Sequence, residues 1–238
     1  MRVVVIIPAA GQGTRLGLRT PKALVPVGGV PLLAHAVRGV TSRGRVGSVI
    51  VAAPPEKIEP FAAAIEGTGC RVVAGGQDRA TSVRRALDAI EPGSCDAILV
   101  HDAARAFTPG EVIERVVDAL AAGARAVVPA LPVTDTVKTV DDNGVIDTTL
   151  RRQSLRAIQT PQGFREDVLR RAYATAETTT SGTVEPVAAT DDAGLVERLG
   201  VAVHTVSGHH HAMKITAPFD LAIAQAVLAP LAGNGDGS

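Results

Sequence analysis

Arg2-Val-Val-Val-Ile-Ile-Pro8-Ala-Ala-Gly11-Gln-Gly13-Thr-Arg15-Leu-Gly17, closed by Pro21-Lys22, is the stretch that decides how this chain is read. Val3 to Ile7 is an unbroken β-branched run, the pattern of a strand covered on both faces. Pro8 ends it. Ala9, Ala10, Gly11 and Gly13 then leave a backbone almost bare of side chains, able to lie against a ligand and aim its N–H groups at it. Arg15 and Lys22 add positive charge to the same loop. A buried strand followed by a bare, basic loop suits an anion as large as a triphosphate.

Two familiar glycine motifs do not apply. A phosphate-cradling P-loop closes on Gly-Lys-Ser/Thr, a triplet this chain lacks. A dinucleotide fingerprint needs a third glycine where Leu16 stands, and an acidic residue about 20 positions later for the ribose. No Asp or Glu precedes Glu56, whereas seven Arg and Lys side chains, from Arg2 to Arg45, do. The pattern argues against hydride transfer.

A chain of 238 residues can bury a sizeable core as one large α/β domain or two small ones. Its 46% hydrophobic and 20% charged content is that of an ordinary globular protein. The formal net charge of zero removes any whole-molecule attraction to nucleic acid or membrane. The basic N-terminal quarter is balanced later in the chain, which favours a local anion site. Aromatic residues are only 2%, too few for base-stacking platforms. Cys70 and Cys95 are isolated, without metal-ligand spacing, so reduced thiols in the cytoplasm are expected. A strand starting at once leaves no room for a signal peptide, and no apolar run reaches the roughly 18 residues of a membrane helix.

Strand-like and helix-like segments alternate through the first 130 residues. Helix is expected at 32–40 (opened by Pro31), 55–65, 80–90 and 109–121, and strand at 46–53, 71–74, 97–100 and 125–130. Such alternation builds a mostly parallel sheet with helices on both faces, an α/β fold whose ligands sit beyond the carboxyl ends of the strands. From Leu131 to Gln159 the chain turns polar and Thr-rich. Asp142-Asn143-Gly144, between Thr136–Val140 and Val145–Thr149, signals a hairpin. With no place in the core, it is read as a lid or as an arm towards a partner subunit. Beyond it a helix is expected at 165–176, a loop at 178–183, and a short helix to Leu199 with Asp191 and Asp192 as its N-terminal caps or dipole partners. A strand at 201–206, a last helix from Pro218 and a disordered tail at 233–238 complete the reading.

Several loops after strands carry more chemistry than turning requires. Gly75-Gly76 leads through Arg79 to Ser82 at a helix start, where free N–H groups bind anions and polar rings. Taken alone, that segment slightly favours a plain glycine turn with Ser82 on the helix surface. His101-Asp102-Ala-Ala-Arg105 follows a buried strand. Asp102 there is placed to bind Mg²⁺ beside phosphates, the alternative being a bare ion pair with Arg105. Lys214 lies between a loop and a helix start, within reach of the same cleft. His209-His210-His211 reads as an exposed loop, because three adjacent histidines cannot face one ion, and His35 as structural.

Together these pieces resemble the 2-C-methyl-D-erythritol 4-phosphate cytidylyltransferase family. The resemblance is carried by Ala9-Ala-Gly-Gln-Gly-Thr-Arg15 with Pro21-Lys22, Gly75-Gly76 to Ser82-Val83, and His101-Asp-Ala-Ala-Arg105. It continues in Pro132-Val-Thr-Asp-Thr136-Val-Lys138, Thr160-Pro161-Gln162, Thr190-Asp191-Asp192 and Lys214-Ile-Thr216. Ala23, Ala106 and Ala212-Met213 depart from the family pattern, the last pair directly before Lys214. The resemblance implies a Rossmann-like homodimer joining CTP and methylerythritol 4-phosphate. It implies Arg15, Lys22 and Lys214 as catalytic residues and Asp102 near Mg²⁺. Ala9, Ala10, Gly11, Gly13, Gly76, Ser82, Asp102 and Ala103 would hold the nucleotide. Asp102, Arg105, Thr136, Arg152 and Thr160 would meet the substrate, Thr136 and Arg152 reaching across on the partner's arm. A cytidylyltransferase for another polyol phosphate, such as ribitol 5-phosphate, and a non-catalytic nucleotide sensor stay open at this point.

Overall fold

The β-branched run becomes strand β1 (Val3–Pro8), and it is the middle of the sheet. The computed structural model describes residues 1–11, 20–179 and 190–232. β1 pairs in parallel with β4 (Ser48–Ala53) on one side and β6 (Ala97–Val100) on the other, and β4 pairs in parallel with β5 (Arg71–Ala74). Successive side chains of β1 point to opposite faces. Val3, Val5 and Ile7 meet α1 (Leu32–Thr41), α2 (Ile58–Ala64) and α4 (Gly110–Ala121). Val4 and Ile6 meet α3 (Arg79–Asp88), α5 (Glu166–Thr179) and α6 (Asp192–Glu197). Both faces are therefore covered, as the apolar run requires, and the α/β, Rossmann-like expectation holds.

The second half of the sheet departs from simple alternation. β7 (Ala126–Pro132) is parallel to β6, but β11 (Gln162–Arg165) lies between them, antiparallel to both. Beyond β11, β10 (Arg156–Ile158) continues along the same edge of β7, also antiparallel, and β12 (Val203–Ser207) pairs in parallel with the opposite edge. An added methyl at Gly163 would lie 2.5 Å from Val116 Cγ1, so the missing side chain lets α4 rest directly on β11. The sequence pattern assigns 165–176 to a helix and ends the preceding strand at 130. Arg165 instead closes β11, and β7 runs on to Pro132 because β10 pairs there.

Smaller corrections have local causes. Pro31 does not open α1; with Val30 it forms β3 (Val30–Pro31), pairing with β2 (Pro26–Val27), and its extended backbone (φ −56°, ψ 143°) stands at the N-cap. The single helix expected at 55–65 is a 3₁₀ turn, Pro55–Lys57, followed by α2, with the break at Lys57 (φ −134°). Pro60 is tolerated because it falls in the first turn of α2, where an N–H has no partner. The hairpin forms as β8 (Lys138–Val140) and β9 (Ile146–Thr149), paired only with each other and exposed throughout. Residues 156–158 of the expected arm return to the main sheet as β10. The last helix, α7 (Pro218–Ala232), begins where expected and packs Ala224 against Val25 and Val27. Thr178 and Thr179, expected in a loop, belong to α5, and the remainder of that loop and the tail lie outside the described residues. No described helix is long and apolar enough to cross a membrane.

Candidate active site

The chain runs from β1 outward through β4 to β5, then returns to lay β6 against the opposite flank of β1. Loops after β1 and β6 therefore part from one another, and a crevice opens beyond their carboxyl ends, the usual ligand position in open α/β sheets. A pocket of about 180 Å³ occupies it. Ala9, Ala10 and Gly11 from the loop after β1, Ser82 from α3, and Asp102 and Ala103 after β6 line it together with Lys22 and Lys214. Eight of the residues singled out from the sequence thus converge on one cavity. Gly76 lines the adjoining groove with Ala10 and Gly11. Arg15 and Gly13 lie outside the described residues.

Ser82 is not on the helix surface; it is 1% exposed. Its Oγ accepts from Gly76 N (3.0 Å) and donates to Asp78 O (2.7 Å), fixing the Gly75-Gly76 turn against the start of α3. Asp78 caps that helix by accepting from Thr81 N at 2.7 Å. The bond to that amide outweighs slight burial and holds the Asp78 carboxyl below its ordinary range.

Asp102 is the electrostatic centre. Its Oδ2 lies 2.8 Å from Lys214 Nζ and 3.9 Å from Arg105 Nε, and its Oδ1 lies 3.3 Å from Arg79 Nε. Burial opposes ionisation, but Arg79, Lys214 and Arg105 outweigh it and hold the carboxyl far below the usual carboxylate range. The Asp102–Arg105 pair considered from sequence is present, as the longest of the three. Among the described residues no three His, Cys, Asp or Glu side chains gather to hold a metal. The pocket is lined by two carboxylates, Asp78 and Asp102, and one or two carboxylates are what Mg²⁺ takes when substrate phosphates and water complete its shell. His209 to His211 make no such group: His210–Ala212 is a 3₁₀ turn, and His209 accepts from His211 N.

Thr160 and Arg105 lie behind the pocket. Thr160 is 4% exposed, and its Oγ1 accepts from Asp102 N (3.0 Å) and meets His101 Nδ1 (3.1 Å). Arg105 donates to the carbonyls of Ala212 (2.7 Å) and Ile158 (3.2 Å). Thr136 and Arg152 are exposed at the arm, Arg152 donating to Thr134 O at 2.9 Å, and neither lines the pocket.

The sequence reading leaves Arg79 without an assignment, although it lines the pocket. Its Nη2 donates at 2.6 Å to Asp192, which is fully buried and accepts from Tyr173 Oη at 2.6 Å. Burial disfavours the Arg79 charge, but Asp192 and Asp102 more than restore it and raise the pKa. Asp192 stands in the first turn of α6, where its charge faces the positive end of the helix dipole, as one of the two expectations had it. Asp191 is the cap, accepting from Gly194 N at 2.9 Å. Only the position of Arg79, just after the paired glycines, could have drawn attention to it.

Comparison with known proteins agrees with this geometry. The profile of IspD, 2-C-methyl-D-erythritol 4-phosphate cytidylyltransferase, matches residues 3–230. The chain is 55% identical to the enzyme of that name from Saccharopolyspora erythraea, across 96% of this chain and all of the relative. It is 52% identical to that from Nocardia farcinica, across 95% and 94% of the two chains. Among solved structures, the Thermus thermophilus enzyme of the same name superposes with a TM-score of 0.79 at 38% identity, covering 96% of this chain and all of its own. These matches decide against ribitol phosphate and against a sensor. The chain belongs to the 2-C-methyl-D-erythritol 4-phosphate cytidylyltransferase family, the CTP-dependent nucleotidyltransferases that transfer CMP from CTP to 2-C-methyl-D-erythritol 4-phosphate with release of pyrophosphate.

Proposed function

We propose that the pocket between β1 and β6 carries this transfer as an in-line displacement. A phosphate oxygen of methylerythritol 4-phosphate forms the new bond to the α-phosphorus of CTP as the bond to the β-phosphate oxygen breaks. Pyrophosphate leaves with that electron pair. Charge gathers on the equatorial oxygens and on the leaving group, so catalysis of this kind is mostly positioning and charge stabilisation. Lys22 and Lys214, on the pocket wall, oppose that charge together with Arg15. Ala9, Ala10, Gly11, Gly13, Gly76, Ser82 and Ala103 receive base, ribose and phosphates. Asp102 would hold Mg²⁺, which supplies charge neutralisation at the phosphates.

The substrate's own phosphate and hydroxyls are assigned to Thr136 and Arg152 on the arm of a second copy. Asp102 forms the floor of that subsite, and Arg105 and Thr160, given to the substrate by the family resemblance, brace it from behind. The arm exposes Val140, Val145 and Ile146, apolar side chains suited to coverage in a homodimer. Two unpaired cysteines support a cytoplasmic setting. Neither membrane nor nucleic acid enters this reading.

The observation that carries the assignment is the convergence of Lys22, Arg79 and Lys214 on one pocket, with Arg79 and Lys214 paired to the buried Asp102. Single-turnover rates and CTP titrations of Lys22→Ala and Lys214→Ala test it. Each is expected to slow the chemical step by on the order of 10²–10³ with little change in CTP affinity, because its charge opposes charge that grows towards the transition state. Unchanged rates with merely weakened CTP binding would overturn the assignment.

A further inference from the structure

Lys214 sits on a short segment between a 3₁₀ turn and the start of α7, a place where a catalytic ammonium would ordinarily wander. Here the segment is pinned on both sides of the lysine. Ahead of it, the carbonyl of Ala212 accepts from Arg105 Nη1 at 2.7 Å. Behind it, Ile215 N donates to Ala104 O at 2.9 Å. Ala212 and Ile215 are both fully buried, so the two neighbours anchor while Lys214, with its side chain 43% exposed, reaches Asp102.

The same guanidinium holds a second segment. Its Nη2 donates to Ile158 O at 3.2 Å, at the root of the arm, where β10 joins the sheet. Its Nε is buried without a hydrogen-bond partner, 3.9 Å from Asp102 Oδ2. The Arg105 side chain is 12% exposed, and its two outer nitrogens already serve main-chain carbonyls. A residue whose forked donors are committed in this way is poorly placed to clamp a substrate phosphate. A rigid fork can, however, tie two carbonyls from distant segments to one point, which a lysine with a single ammonium does less well.

We propose that Arg105 is a positioning residue that acts through Lys214: it fixes the Ala212 carbonyl, and so the ammonium, relative to Asp102, and ties that segment to the arm root. This rests on the reading of Lys214 as catalytic. It also accounts for the Ala212-Met213 departure from the family pattern, because the clamp grips a carbonyl that any residue supplies.

Two measurements on Arg105→Lys and Arg105→Gln decide it, with thermal melts confirming that each variant folds. Hydrogen exchange is read for the peptide spanning 209–216, and kcat for a double-mutant cycle with Lys214→Ala. The clamp predicts faster exchange at 209–216 in both variants. It also predicts a loss in kcat of about ten- to a hundredfold, the scale of an ångström-sized misplacement. The loss should vanish when Lys214 is already Ala. Unchanged exchange overturns the clamp, whatever the role of Lys214. Faster exchange with losses that multiply in the double variant overturns action through Lys214 and makes Arg105 a direct substrate contact. Full activity in Lys214→Ala removes the catalytic reading of the lysine and with it the kinetic half of the proposal, while exchange still reports on the clamp.

Discussion

At Gly76 an added methyl group would lie 2.2 Å from Thr81 Cγ2 and 2.4 Å from Thr81 Cβ. The clash is with a side chain in the first turn of α3, so relief requires moving the helix start that Asp78 caps and Ser82 ties to the turn. Overpacking of this kind costs about 1–3 kcal/mol. Gly76→Ala is therefore expected to lower the urea unfolding free energy by that amount and to raise KM for CTP more than KM for methylerythritol 4-phosphate. Urea titration and steady-state kinetics check both parts; equal rises in the two KM values would detach Gly76 from the nucleotide subsite. The turn was legible in the sequence, because paired glycines ahead of a helix mark one, but its link to a nucleotide came only from the family resemblance. Arg79 and Asp192 were not legible. Their partnership spans 113 positions, and no local pattern distinguishes a buried aspartate from the capping one beside it.

At the scale of elements, hydrophobic patterning exposed what was periodic and hid what was short. β1, β4, β5 and β6 announced themselves as apolar runs, and Asn143-Gly144 marked the hairpin. β10 and β11 did not, since Arg156–Ile158 and Gln162–Arg165 carry polar residues and a glycine, and only their neighbours make them strands. The arm itself yields a prediction. If it crosses to a partner's cleft, Lys22→Ala and Arg152→Ala impair different halves of each site, one its catalytic charge and the other its clamp on substrate phosphate. Each homodimer should be nearly inactive. Unfolding, mixing and refolding the two together should restore activity at roughly a quarter of all sites, because half of the dimers are mixed and each has one intact site. If no activity returns although sedimentation shows dimers, each arm serves its own cleft.

For the whole molecule, acid sensitivity should originate at His101, which is fully buried behind the pocket with Nε2 unpaired. Burial pushes its pKa down from 6.5 to about 4. Between those values the unfolded chain takes up a proton that the folded chain refuses. Stability present above about pH 6.5 is therefore lost as pH falls towards 4. The shift corresponds to about 3 kcal/mol in total. Asp102 adds little to this window, since its carboxyl is ionised in the folded and the unfolded chain alike until the pH falls to about 4. Urea titrations at about pH 7 and pH 4.5 should show that loss in the parent and a flatter dependence in His101→Gln; identical slopes would remove His101 as the cause. The sheet order has a consequence for biosynthesis. Every strand that touches β7 (β10, β11 and β12) is made after it, and β6 waits for β11 to cover its free flank. A nascent chain that already carries the whole glycine loop, α3 and Asp102 thus holds an open sheet edge until residues 162–165 emerge. Lys214 joins the cleft later still. Translation must therefore run nearly to its end before Lys214 can take its place beside Asp102.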